Sequence, residues 1–140
     1  METTPCGSGD VYSDQCPCRS ILNRISDKWT PLIIGRLDEG PHRFNQLRRS
    51  IPGVSQKMLT QTLRALERDG IVEREVFPTV PVTVVYSLTD LGRTLSDPLQ
   101  RVRQWVESHQ AAVVSARAAF DERQARDLEA VRTGRALEQR

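Results

Sequence analysis

Gln56, Lys57, Thr60, Gln61 and Arg64 recur at intervals that place them on one face of a helix, opposite Leu59, Leu63 and Leu66. Their end groups are amides, a hydroxyl and two cations. That set suits hydrogen bonding to base edges in a major groove. Glutamine can bridge N6 and N7 of adenine, and Arg or Lys can reach N7 and O6 of guanine, each good pair giving roughly 1–3 kcal/mol of discrimination. Ser55 is the expected N-cap, which leaves backbone N–H groups near a phosphate. Arg43, Arg48 and Arg49 are suited to phosphates, giving affinity and salt dependence rather than sequence reading. Arg74 has two readings, a phosphate contact or an ion pair with Glu73 or Glu75. Glu67 and Asp69 are expected to face away from a nucleic-acid backbone. Residues 42–64 hold five basic side chains and no acidic one, although the whole chain is only +2, so the cations are concentrated where a duplex would be met. The competing reading of this polar face is an ordinary solvated helix surface.

Sulfur supplies a second chemistry. Cys16 stands at an expected helix start beside Arg19, a setting that favours thiolate and hence reaction with oxidants or electrophiles. The bland alternative is a small buried residue. Cys18 falls on the apolar face of the same helix, where core packing is expected. Cys16 and Cys18 are too close in a helix to pair easily. A bond across a dimer, or from Cys6, has better geometry in prospect. His42 and His109 have no ligand spacing around them, so no metal is expected. No glycine loop for phosphates, nucleophile elbow or paired carboxylates in an apolar frame points to an enzyme, and no cofactor is implied.

The elements that position these groups follow from hydropathy. Residues 1–15 offer little to bury and read as a mobile arm. A helix starts at Cys16-Pro17-Cys18 with Ile21, Leu22 and Ile25 on one side. Trp29 opens another, with Leu32, Ile33, Ile34 and Leu37, closed by Gly40-Pro41. Phe44, Leu47 and Ile51 mark a short helix. The turn Ser50-Ile51-Pro52-Gly53 then leads to the helix of the opening, a helix-turn-helix pattern. Residues 71–77 read as a strand, Pro78 to Pro81 as a tip, and Val82, Val84, Tyr86 and Leu88 as a half-buried alternating strand, together a wing. Thr89 is the expected N-cap of a final helix carrying Leu91, Leu95, Leu99, Val102 and Val106. Pro98 predicts a kink or restart there, with Asp97 capping the second segment. Residues 121–140 nearly alternate in charge, as an exposed helix or frayed tail would.

The totals fit one small domain. The chain has 140 residues, 38% of them hydrophobic and 27% charged, with a mean hydropathy of −0.47. No apolar run approaches the ~20 residues needed to span a bilayer. The N-terminus lacks the basic start and apolar stretch of a signal peptide. A cytoplasmic location, free thiols and no membrane partner are therefore expected.

Several stretches together resemble the HxlR family of bacterial winged-helix transcription regulators: Cys16-Pro17, Lys28-Trp29-Thr30, RFNQLRRSIPGVSQKMLTQTLRALERDGIVER at 43–74, and Tyr86-Ser87-Leu88-Thr89 with Leu91-Gly92. The resemblance covers about 16–106. It implies a dimeric DNA-binding regulator, and a subset of the family senses electrophiles or oxidants through an N-terminal cysteine that matches Cys16. The chain departs from the family at Ser26-Asp27, where two glycines are usual. It departs again at Thr83, where a basic residue is frequent, and at Cys18, where an aliphatic one is.

The expected architecture is mainly α with a small β-hairpin wing, a winged helix-turn-helix with additional N- and C-terminal dimerisation helices. It divides into an arm at 1–15, a DNA-binding domain with the start of the dimerisation helix at 16–106, and a helical extension or tail at 107–140. The expected function is a homodimeric regulator of double-stranded DNA, a repressor by expectation, that binds an inverted repeat and responds to oxidants or electrophiles through Cys16. One alternative replaces thiol sensing with a small-molecule inducer in a pocket near Trp29, Trp105 and Tyr86. Another is a winged helix that binds a protein partner.

Overall fold

The computed structural model describes residues 9–134. Five helices and three strands follow in order: α1 Cys18–Ile25, α2 Thr30–Asp38, β1 His42–Arg43, α3 Phe44–Ser50, α4 Gln56–Arg68, β2 Val72–Phe77, β3 Thr83–Leu88 and α5 Asp90–Arg132. The chain divides into one unit up to Arg101 and a second from Val102 onward.

In the first unit the apolar stripes of α2, α3 and α4 meet. Ile33, Ile34, Leu47, Leu59, Leu63 and Leu66 are wholly buried, joined by Val72, Leu88 and Leu99. These are the positions that helical spacing selects. Turns between the elements use backbone that only glycine adopts freely: Gly53 at φ 92° ends the α3–α4 turn and Gly70 at φ 75° ends α4. Arg36 on α2 donates from Nε to the Ser50 carbonyl at 3.1 Å, holding the last turn of α3. In contrast α1 buries none of its residues, and Ile21 and Leu22 stay about half exposed.

The sheet is antiparallel in the order β1-β3-β2. Val72 lies opposite Leu88 and Phe77 opposite Thr83, while Arg43 lies opposite Val85. The sequence predicted only the β2–β3 hairpin. The third strand is two residues long, too short for period-two patterning to reveal it. The predicted in–out alternation of β3 is also absent. As the central strand, β3 is partly covered from residue 83 to residue 87, and only Leu88 is buried.

The junction of wing and α5 is tight. Thr89 caps α5, its hydroxyl accepting from the Gly92 N–H at 3.0 Å and donating to the Gly70 carbonyl. The helix then runs through Pro98 as one element, against the predicted restart. Leu95 and Leu99, on either side of the proline, both pack on the core, and this outweighs the one missing N–H. Asp97 caps nothing here; it pairs with Arg101 at 3.3 Å. In the second unit the Trp105 ring stacks on His109 at 4.6 Å, and Val106, Val114 and Phe120 are exposed by half or more. No helix among the described residues is long and apolar enough to cross a membrane.

Gly92 fits this junction because it has no side chain. A Cβ there would collide with the Ile71 carbonyl oxygen. Gly92→Ala should therefore destabilise the fold by about 1–3 kcal/mol through overpacking, read as a Tm several degrees lower in thermal denaturation. An unchanged Tm would refute this account of the junction.

Candidate nucleic-acid interface

α4 is the centre of the site. Its N-cap is Ser55, as the sequence predicts, with the hydroxyl accepting from the Met58 N–H at 3.1 Å. Leu59, Leu63 and Leu66 are buried, and Thr62 is buried beside them. With that stripe fixed inward, Gln56, Lys57, Thr60, Gln61 and Arg64 are all exposed on the opposite side. Thr60 donates its hydroxyl proton to the Gln56 carbonyl at 2.8 Å. It therefore offers outward a methyl group and acceptor lone pairs, which suit a thymine methyl or a cytosine amine.

α3 carries the flanking cations. Arg43 closes β1, and its N–H donates to the Gln46 side chain at 3.0 Å, capping α3. Arg43, Arg48 and Arg49 are exposed. Asn45 is exposed between them and lines the same clefts as Arg48 and Arg49. Sequence reading passed over it, although its spacing of four from Arg49 was visible.

The charge layout is asymmetric. Among the described residues, Arg43, Arg48, Arg49, Lys57 and Arg64 form no ion pair with a carboxylate. Acids near them are held elsewhere. Asp69 pairs with Arg24 at 3.5 Å, Glu67 with Arg74 at 3.7 Å and Glu39 with Arg36 at 3.2 Å. Arg74 thus meets Glu67 from the end of α4, rather than Glu73 or Glu75. Glu73 instead accepts from the Ser87 hydroxyl at 3.3 Å. Nearby, burial raises the phenol pKa of Tyr86, whose ring packs against Phe44 at 6.4 Å.

A cleft of about 510 Å³ opens between the start of α3 and the wing, with Arg43, Phe44 and Arg49 on one wall and Pro81, Val82 and Val84 on the other. It lies on the face of α3 and the wing, whereas the predicted ligand pocket involved Trp29, Trp105 and Tyr86. Trp29 is buried in the core.

The sulfur site lies at the start of α1. Cys16 is 5% exposed and disulfide-bonded, against the expectation of free thiols, and among the described residues Cys18 is the free cysteine. Their sulfurs are 2.6 Å apart, and the Cys18 N–H points to the Cys16 sulfur at 3.4 Å. A thiol placed beside a disulfide sulfur, as Cys18 is beside Cys16, can exchange with it. The expectation for Cys6 falls outside the described residues. No group of three or more His, Cys, Asp or Glu residues that could hold a metal occurs among the described residues.

The model of the HxlR-like helix-turn-helix family matches residues 24–113. The chain is similar to YtfH of Escherichia coli, described as an HTH-type transcriptional regulator, with 44% identity over 84% of this chain and 90% of that one. A solved structure of the ytfH protein from Salmonella typhimurium superposes with a TM-score of 0.74 at 43% identity, covering 79% of this chain and 98% of that one. The redox regulator HypR in its oxidized form superposes with a TM-score of 0.62 at 45% identity, covering 66% and 96%.

The Ser55 cap is the local test of how α4 is set. Ser55→Ala should lower stability by about 1 kcal/mol in chemical denaturation, and Ser55→Asp should restore it. Equal stability of all three proteins would refute the cap's role.

Proposed function

The chain belongs to the HxlR-like helix-turn-helix family, and from that premise we propose that it is a homodimeric repressor that reads an inverted repeat in double-stranded DNA. It is a transcriptional regulator of the winged-helix type. The observation that carries the finer reading is the set of exposed, unpaired cations flanking the amide and hydroxyl groups of α4. Gln56, Lys57, Thr60, Gln61 and Arg64 contact base edges, and the N–H groups after Ser55 meet a phosphate. Arg43, Arg48 and Arg49 hold phosphates. Arg74, engaged by Glu67, contributes a phosphate contact only on leaving that carboxylate.

Two copies are needed to cover the stripes that one chain leaves open. Ile21 and Leu22 on α1, and Val102, Trp105 and Val106 on α5, are each close to half exposed. Pairing through them sets two recognition helices roughly 34 Å apart, one turn of the duplex.

Cys16 is the regulatory thiol. Support comes from its disulfide, from the neighbouring Cys18 sulfur and from the likeness to a redox regulator. An oxidant or electrophile that changes Cys16 moves α1 and with it the spacing of the two α4 helices. The protein acts in the cytoplasm.

A selection from a genomic fragment library with the full chain, at two salt concentrations and with or without a mild thiol oxidant, tests the reading. Sequence-selective binding should weaken steeply with salt and fall on oxidation. Arg48→Ala should weaken binding to all fragments alike and lower the salt slope by about two, one per protomer, whereas Gln61→Ala should relax preference at one position in each half-site. Cys16→Ser should bind and ignore the oxidant. Absence of selective binding in either state would overturn the DNA reading, and a Cys16→Ser protein with full oxidant response would overturn the sensing role.

A further inference from the structure

The wing lacks the charge that a phosphate-binding loop would carry. Residues 76–89 contain no Asp, Glu, Lys or Arg. The tip is apolar and open to water instead. Val80 is fully exposed, Val82 is 63% exposed, and Val76 and Phe77 are substantially exposed. The tip is also internally braced. The Thr79 hydroxyl donates to the Pro81 carbonyl at 2.7 Å and sits 2.9 Å from the Thr83 hydroxyl, while the Thr79 N–H donates to the Phe77 carbonyl at 2.8 Å. Pro78 and Pro81 bracket Val80 and restrict the chain further.

The surroundings of this tip narrow what can cover it. Its apolar side chains form one wall of the cleft whose other wall holds Arg43 and Arg49. Such a cleft, cationic on one side and apolar on the other, fits a sugar–phosphate strand: phosphates meet the arginines and sugars meet the valines. The strand that borders the major groove borders the minor groove on its other side. A wing standing beside α4 is therefore aimed at the minor groove. Apolar side chains there act by insertion between base pairs, which unstacks a step and bends the duplex away. A protein partner fits less well. A handful of side chains falls short of the ~800 Å² per partner that a stable interface needs, and the surface continuing from the tip is cationic.

We infer that the Val80-Pro81 tip is an apolar wedge that enters the minor groove beside α4, opens one base step in each half-site and bends the duplex. The inference rests on the DNA reading proposed above. It adds a specificity-determining element, because the step that opens most easily, a pyrimidine–purine step, is favoured under the wing without any hydrogen bond to its edges.

The test uses duplexes selected from a random-sequence library by the full chain, relabelled with 2-aminopurine at successive positions. Binding of the unaltered protein should raise 2-aminopurine emission severalfold at one step per half-site. Val80→Ser, whose fold should be unaffected because the side chain is fully exposed, should bind roughly a hundredfold more weakly, a factor of about ten for the valine lost at each half-site. It should keep the salt slope and lose the emission change. Val80→Lys should steepen the salt slope by about two, one per half-site, without restoring emission. A library that yields no duplex overturns the DNA reading and the wedge with it. A selected duplex whose emission stays flat overturns the wedge alone. A Val80→Ser protein that binds and unstacks like the unaltered one also overturns it.

Discussion

The hydroxyl of Thr89 is the joint on which the molecule turns. It donates to the Gly70 carbonyl at the end of α4 and accepts from the Gly92 N–H in the first turn of α5. The Thr89 N–H binds the Ile71 carbonyl at 3.1 Å, and Ile71 in turn donates to the Leu66 carbonyl of α4 at 2.9 Å. Through a few atoms the end of α4, the base of the wing and the start of the long helix share one hydrogen-bond network. Networks of this kind hold a fixed geometry because each member satisfies another. A displacement of the first turn of α5 is thus passed to α4 without an intervening flexible segment.

The second organising constraint is the placement of charge. Glu67 and Asp69 are occupied by arginines from other elements and Glu39 by Arg36 of the turn before it, so that the exposed cations of α3 and α4 have no ion-pair partner among the described residues. Exposed pairs of this type contribute little to stability. Their effect here is to shape the outward potential, leaving the positive charge of α3 and α4 uncompensated.

Much of this was legible in the sequence because burial in helices follows a period that Leu59, Leu63 and Leu66 display openly. The Ser55 and Thr89 caps were legible for a similar reason, since each hydroxyl precedes an apolar-periodic run. What stayed hidden depends on tertiary partners. The β1 strand exists only because β3 lies beside it, and β3 loses its alternation by becoming central. Pro98 looks like a helix breaker until Leu95 and Leu99 are seen to be anchored on the core. Arg74 was read with its sequence neighbours, but its carboxylate comes from α4, next to the strand in space. Cys16 and Cys18 were read as separate groups, yet their sulfurs lie side by side.

The strand order leaves β2 with one side that no other strand covers. Such an edge is a template on which another chain can add. Here the edge runs through Glu73, Arg74 and Glu75, all exposed, and an incoming strand would have to desolvate three charges in a row. Charge on an open edge disfavours the addition of a further strand, and it sits in the same short strand that supports the wing.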